Sequence, residues 1–369
     1  MKKVLMTAST FAHIKCFHQP YIDALRERGF SVCVACGGEK AAVEADRLLQ
    51  LPLEKKFLSP ANLKTFRMLR RELRANQYEL IITHTTLASF WTRLAASGLK
   101  KPPYIITVVH GYLFGGGAAE GIKGAVLKLA ELIFAGRTDL LLTMNKYDFD
   151  WAMRHRAGKL VHNIPGMGVI DRCSEGGEKS FSDDISDNDV VLLYPAEFSE
   201  RKNQSALIKA MKKIPDNVKL ILPGEGQLFE KCKSLAGEYG TAHRISFPGY
   251  VTDMGALYDL ADIAITSSHS EGLPFNVLEA MRHSLPVIAS RVKGNEDLVT
   301  DGVTGLLFPL DDEDGLVNAV MRLVTDKQLQ RSMGCAGYEK SAGYTIDSVL
   351  PIVMKEYLTF TEGQNEKNC

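Results

Sequence analysis

Residues Ser267 to Met281 read SSHSEGLPFNVLEAM and place two carboxylates, Glu271 and Glu279, around the predicted start of a helix. Pro274 suits the first turn of that helix, where free N–H groups and the helix dipole favour a phosphate. Glu271 and Glu279 could accept hydrogen bonds from neutral hydroxyls while the amides hold the anion, as a ligand carrying both sugars and phosphates requires. The same spacing also suits a Glu271 that caps the helix and a Glu279 in solvent. The turn Pro195 to Asn203 carries Arg201 and Lys202, which would reach the same strand edge and could neutralise a diphosphate. A solvated charge cluster fits that spacing as well. Gly224-Glu225-Gly226 permits close backbone approach but is also a common turn. In the first half, His110-Gly111 ends the run Tyr104 to Val109, with Gly115-Gly116-Gly117 behind it. His110 is expected to face a cleft, and a histidine satisfied by neighbouring backbone is the alternative.

These residues follow short apolar runs, and the runs define the architecture. Lys3 to Thr7, Ser31 to Ala35, Glu79 to Thr83, Tyr104 to Val109 and Asp139 to Thr143 alternate with helical stretches. Val190 to Tyr194, Val218 to Leu222, Arg244 to Phe247, Ile263 to Thr266, Pro286 to Ala289 and Gly305 to Phe308 do the same. Continuous apolar strands between helices imply parallel sheets covered on both faces, so the fold class is α/β with two doubly wound, Rossmann-like domains. In such sheets ligands sit beyond the carboxyl ends of the strands. The expected boundaries are a first domain over 1–172, a polar linker over 173–189, a second domain over 190–345, and a final helix and tail over 346–369. Spacing alone leaves open where that helix packs.

Composition narrows the class. The chain has 369 residues with 44 basic and 44 acidic side chains and 45% hydrophobic residues, which excludes disorder and a coiled coil. Lys2-Lys3 and Val4 to Met6 make too short a start for a signal peptide, and no long uncharged apolar run occurs, so the chain reads as cytoplasmic. Seven scattered cysteines do not form a disulfide framework, and Cys33-x-x-Cys36 lies in a predicted buried strand, where core packing outweighs redox or metal chemistry. No H-E-x-x-H, Walker A or G-x-S-x-G pattern is present. The first turn, Ala8-Ser9-Thr10-Phe11-Ala12-His13, lacks the G-x-G-x-x-G fingerprint, so nicotinamide chemistry is disfavoured.

The neutral total hides a split. Residues 1–170 hold 24 basic and 13 acidic side chains, the remainder 20 and 31. The basic half is expected to meet something anionic. Lys64, Arg67, Arg71 and Arg74 share one helical face beside an apolar stripe of Phe66, Leu69 and Leu73, which suits either an anionic membrane or an ordinary charged surface.

Glu271-Gly272-Leu273-Pro274-Phe275 through Glu279-Ala280 is an E-x7-E block that resembles the signature of retaining glycosyltransferase family 4. Asn163 to Val169, Gly294 to Val299 and Asp301 to Gly305 resemble further segments of that family, so the likeness spans nearly the whole chain. His13, Phe17-His18-Gln19-Pro20 and Thr107 to Tyr112 resemble members that build capsular or exopolysaccharide repeat units. The resemblance implies a GT-B fold, two domains facing a cleft, with the acceptor on the first, the nucleotide sugar mainly on the second, and a last helix crossing back. It implies Glu279 on the ribose hydroxyls, Glu271 on the donor sugar, Leu273, Pro274, Phe275 and Asn276 on phosphate and sugar, and Lys202 on the diphosphate. Gly224 joins this donor side, His110 would contact the transferred sugar, and Ser9 and His13 lie on the acceptor side. The family commonly has an arginine where this chain has Glu197, so Arg201 is expected to substitute or the diphosphate is held differently.

The implied activity is metal-independent transfer with retention of configuration, from a nucleotide sugar, taken as a UDP-sugar, to a saccharide on a polyprenyl diphosphate. No cofactor and no metal are expected. The expected partners are the nucleotide sugar, the lipid-linked acceptor and an anionic membrane surface on the cytoplasmic side, and not nucleic acid. A sugar-nucleotide 2-epimerase and a silent nucleotide-sugar-binding subunit are the alternatives. Conversion without acceptor would mark the first; intact Glu271, Glu279 and Lys202 argue against the second.

Overall fold

The computed structural model describes residues 2–54, 59–116, 121–170, 185–186 and 188–362, with side chains through 360. Most of the expected linker, 173–189, and Gly117 lie outside the described residues. The chain divides into two compact units, and the second spans Val169–Thr345.

The first unit is built on seven parallel strands: β1 Lys3–Thr10, β2 Ser31–Gly37, β3 Arg47–Gln50, β4 Leu80–His84, β5 Tyr104–Val108, β6 Leu140–Thr143 and β7 Leu160–Asn163. Their order is β3-β2-β1-β4-β5-β6-β7. The second unit carries β8 Val190–Leu193, β9 Val218–Pro223, β10 Ile245–Gly249, β11 Ile263–Thr266, β12 Val287–Ser290 and β13 Gly305–Phe308. These are also parallel, in the order β10-β9-β8-β11-β12-β13. Val4, Leu5, Met6, Ile81, Leu192 and Ile265 are buried, as strands covered on both faces must be. In each sheet the strand order reverses once, between β1 and β4 and between β8 and β11. Loops leaving the strands at such a point diverge and open a crevice at the carboxyl edge.

The edge strands β3 and β7 depart from the apolar-run pattern. Arg47-Leu48-Leu49-Gln50 and Leu160-Val161-His162-Asn163 are largely exposed, so neither needs a continuous apolar run. Arg47 adds a two-pronged ion pair to Glu72, at 2.8 and 2.9 Å. The first turn is also shorter than the sequence suggests. Strand β1 runs through Thr10, whose side chain accepts from the His13 amide and caps helix Phe11–Phe17. Cys33 and Cys36 are buried in β2, and burial pushes both thiols up, Cys36 to about 12, so neither is a ready thiolate.

The final helix, Ile346–Glu362, belongs to the first unit, which settles where it packs. Tyr357 is fully buried, with its ring 5.9 Å from that of Tyr21. Phe360 stacks on Tyr104, and His162 Nδ1 lies 2.8 Å from Glu356.

Helix Pro60–Ala75 carries the basic face. Its Leu69 and Leu73 are buried in the core with Trp91 and Ile81, and Phe66 packs beside them. The apolar stripe is therefore already used within the protein, and the helix offers its surroundings chiefly charge. Arg70 turns inward to the carbonyls of Ala95 and Ser97. A different helix, Gly121–Leu132, leaves a row of apolar side chains outside. Ile122, Val126, Leu129 and Ile133 are 86%, 56%, 59% and 59% exposed at spacings of three and four, beside Lys123 and Lys128. Its opposite side is pinned by Glu131, whose carboxylate takes a 2.7 Å hydrogen bond from the fully buried Arg93.

Removing Glu131 strands that guanidinium. Glu131→Leu should cost about 3–5 kcal/mol in urea unfolding, and pairing it with Arg93→Met should recover most of the loss. A single-variant loss below about 1 kcal/mol would show the pair is not a buried constraint.

Candidate active site

The second unit's site forms from the two loops beside its switch point. Lys202 arrives from the loop after β8, Glu271 from the loop after β11. The Glu271 carboxylate is 6% exposed and takes one cation on each oxygen: Lys202 Nζ at 2.6 Å on Oε1 and Arg201 at 2.8 Å on Oε2. Arg201 also donates to the Ser270 carbonyl, and the His269 amide donates to the Arg201 carbonyl. Tyr194, buried at the end of β8, donates to the Lys202 carbonyl and lies 2.7 Å from the Ser268 hydroxyl. The Ser267 hydroxyl donates to the carbonyl of Asn203, a left-handed residue that turns the chain into the next helix. The two loops are thus tied by backbone and side chain together.

Electrostatics follow from this geometry. Burial works to raise the Glu271 carboxyl, but Lys202 and Arg201 outweigh it and hold the group below the ordinary carboxylate value. Burial is the larger influence on Lys202 and lowers it, with Glu271 opposing. Both expected cations therefore pair with a carboxylate; Lys202 is not the solvated charge that spacing allowed, whereas Arg201 keeps part of its side chain in water. Lys202 is 12% exposed and Arg201 44%, which leaves Arg201 the freer to reorganise around an anion.

Glu271 does not cap the helix. Helix Phe275–Arg282 starts one residue later than expected, with Pro274 at the N-cap, where it has no side-chain acceptor for the first-turn amides. Leu273 is buried. Asn276, in that first turn, donates to the Pro195 carbonyl at 3.1 Å and ties the helix start to the β8 loop. Glu279 is half-buried and accepts from the Tyr258 hydroxyl at 2.9 Å. Tyr258 is a partner of Glu279 that the sequence did not reveal.

Gly224 has φ +137°, and a Cβ there would stand 2.1 Å from the Ala196 carbonyl oxygen. Its missing side chain therefore lets the β8 loop pass, whatever it does for a ligand. Glu197 is exposed and its carbonyl accepts from Gln204. After β12, Gly294 has φ +80°, and a Cβ would stand 2.6 Å from the Gly272 oxygen and 2.9 Å from the Glu271 Cβ, so this glycine allows the Glu271 loop to close.

The first unit places four histidines together at its own switch point. His13 follows β1, His84 ends β4, His110 follows β5, and His18 comes from the end of helix Phe11–Phe17. His13 and His18 approach to 3.2 Å between Nε2 atoms, and His84 Nδ1 lies 3.1 Å from His110 Nε2. Burial lowers every ring, His13 to about 4 and the others well below the ordinary value. The His110 ring thus meets other imidazoles, not backbone. Ser9 lies 2.7 Å from the Thr85 hydroxyl. His84 was missed, although it stands directly after an apolar run, the position that flagged His110.

Because the folded pKa of Glu271 is depressed, its ionic contribution is present above the ordinary carboxylate range and is lost as pH falls through the folded value. Glu271→Gln should cost roughly 3 kcal/mol at pH 7, the low end for breaking a buried pair because Arg201 can turn to water. The gap to wild type should narrow below about pH 4. Urea unfolding at both pH values tests this, and a gap that widens in acid contradicts the pairing.

Both units resemble known proteins. Residues 177–340 match the family described as Glycosyl transferases group 1, and residues 21–165 match Glycosyltransferase Family 4. EpsD of Bacillus subtilis (strain 168), provisionally named a glycosyltransferase, is 30% identical over 358 residues, 91% of each chain. An Escherichia coli enzyme named UDP-Gal:alpha-D-GlcNAc-diphosphoundecaprenol alpha-1,3-galactosyltransferase is 25% identical, covering 73% of this chain and 72% of its own. Among solved structures, sucrose-phosphate synthase from Thermosynechococcus elongatus superposes with a TM-score of 0.83 at 18% identity, covering 98% of this chain and all of that one. Anabaena HepE in complex with UDP-glucose gives 0.76 at 18% identity, covering 97% and all. With both domains matched in tandem and a relative of that identity along nearly its whole length, the chain belongs to the family 4 glycosyltransferases of GT-B fold.

Proposed function

We propose that this glycosyltransferase moves a sugar from a UDP-sugar to a saccharide carried on a polyprenyl diphosphate, with retention of configuration and without a metal. The observation that carries the reading is the Lys202 ammonium, nearly buried and held against Glu271 beside a helix start that Asn276 ties to the β8 loop. A preorganised cation and helix amides can take the charge that develops on a leaving diphosphate. The HepE complexes with UDP and with UDP-glucose support a UDP-sugar donor. The E. coli relative's name supports a diphosphopolyprenyl acceptor.

Glu271 makes a poor nucleophile, because both of its oxygens already hold cations. A front-side path needs no nucleophile from the protein. The bond from the anomeric carbon to the phosphate oxygen breaks, the acceptor oxygen bonds to that carbon on the same face, and the acceptor proton passes to the departing phosphate. Lys202, Arg201 and the first turn of helix Phe275–Arg282 would stabilise the diphosphate, and Glu279 the ribose.

Attachment to an anionic membrane face is the remaining part of the proposal. The exposed apolar row Ile122, Val126, Leu129 and Ile133, flanked by Lys123 and Lys128, supports it better than the basic helix does, since that helix has buried its own stripe.

A thermal-shift panel identifies the donor, since a ligand at 100 times its Kd stabilises by about 2.7 kcal/mol. With that donor and a lipid-linked acceptor, Lys202→Ala and Glu271→Ala should each lower kcat by about 10²-fold, and the product should keep the donor's anomeric configuration. Near-normal turnover in both variants, an inverted product, or donor conversion without acceptor would each contradict the reading. In vesicle sedimentation at low salt, Leu129→Asp should weaken binding to anionic lipid. Equal binding to neutral and anionic vesicles would remove the membrane part.

A further inference from the structure

The four histidines of the first unit form two layers. His18 and His84 are fully buried, with ring centroids 3.8 Å apart; His13 and His110 are half-buried, with centroids 4.7 Å apart and rings near perpendicular. Each inner ring touches one outer ring through a single nitrogen pair, His18 Nε2 to His13 Nε2 and His84 Nδ1 to His110 Nε2. The other nitrogens of the inner rings, His18 Nδ1 and His84 Nε2, are buried without a hydrogen-bond partner.

That asymmetry decides where the protons sit. A neutral imidazole has one N–H and one lone pair, and a buried N–H left unpaired is rarer and more costly than an unpaired acceptor. The unpartnered nitrogens of His18 and His84 therefore carry lone pairs, and their N–H groups point at the outer rings. His13 and His110 must accept at Nε2 and hold their own protons on Nδ1. We infer that His18 and His84 are positioning residues which fix His13 and His110 as Nδ1–H hydrogen-bond donors, so that His110 meets its ligand as a donor and not as a general base. Only the identity of the oxygen that receives these N–H groups rests on the sugar-transfer reading; the proton assignment does not.

The charge state agrees. Burial lowers all four rings, and neighbouring imidazoles add to it for His18, His84 and His110, in the direction that favours neutral rings. A divalent metal on His13, His18 and His110, whose donor atoms lie within 4.8 Å of one another, is the competing use. Tetrahedral coordination at about 2.0–2.1 Å would bring all three nitrogens to roughly 3.3 Å of each other. It would also call for a partner on the far N–H of His18, and that nitrogen has none.

The test is a long-range proton–nitrogen-15 correlation spectrum of the full chain between about pH 5.5 and 8, where an unperturbed histidine titrates. His13 and His110 should show a protonated Nδ1 and a bare Nε2 throughout, with no titration. His84→Leu should release His110 into mixed tautomers, and His84→Asn, whose amide can replace the Nδ1 donor, should restore the single form. His18→Leu and His18→Gln should act likewise on His13. A protonated Nε2 on His110, a titration near the ordinary value, or a His110 signal unchanged in His84→Leu would overturn the assignment. So would one equivalent of zinc shifting His13, His18 and His110 together. The wild-type spectrum decides by itself if a leucine variant does not fold.

Discussion

The contact on which the second unit's candidate site depends is the clasp of the Glu271 carboxylate by Lys202 and Arg201. Two loops, one after β8 and one after β11, have no sheet hydrogen bonds to hold them together beyond the strand ends. The ion pair joins them, assisted by Tyr194 on Ser268 and by Asn276 on Pro195. The Glu271 carboxylate and the Lys202 ammonium are largely withdrawn from water, which is costly unless each finds a counterpart, and they pair with one another, while the more exposed Arg201 adds a second cation. The arrangement therefore fixes where a further anion can be accommodated: beside Lys202 and the more exposed Arg201, at the start of the helix that Pro274 opens.

The first unit solves a related problem with neutral groups. Its sheet reverses at β1 and β4, and the side chains beyond those strand ends are imidazoles in place of an ion pair. Four basic rings in one buried place cannot all be charged, so the cluster stays neutral and passes hydrogen bonds outward. The basic excess of residues 1–170 then resides on exposed lysines and arginines such as Arg67 and Arg71, away from these rings.

Strands whose burial is complete were legible in the sequence, because an uninterrupted apolar run has few other uses. Ile263 to Thr266 and Gly305 to Phe308 were found to the residue. The first unit's edge strands β3 and β7 were not, since Arg47 and His162 break the run where solvent permits it. The acidic pair Glu271 and Glu279 and the cations Arg201 and Lys202 stood out by type and position. That the cations close on Glu271 across about seventy residues was invisible, because it depends on strand order, which a linear pattern does not encode. Tyr258 gave no signal, as a tyrosine in a short helix has many ordinary reasons to be there.

The most direct measurement is a crystal structure of the protein soaked with the UDP-sugar that stabilises it most. The account predicts the diphosphate within hydrogen-bond distance of Lys202 Nζ and of the first-turn amides of helix Phe275–Arg282, with the ribose on Glu279. A diphosphate bound away from that helix start, with the Glu271 clasp undisturbed and untouched by ligand, would contradict it.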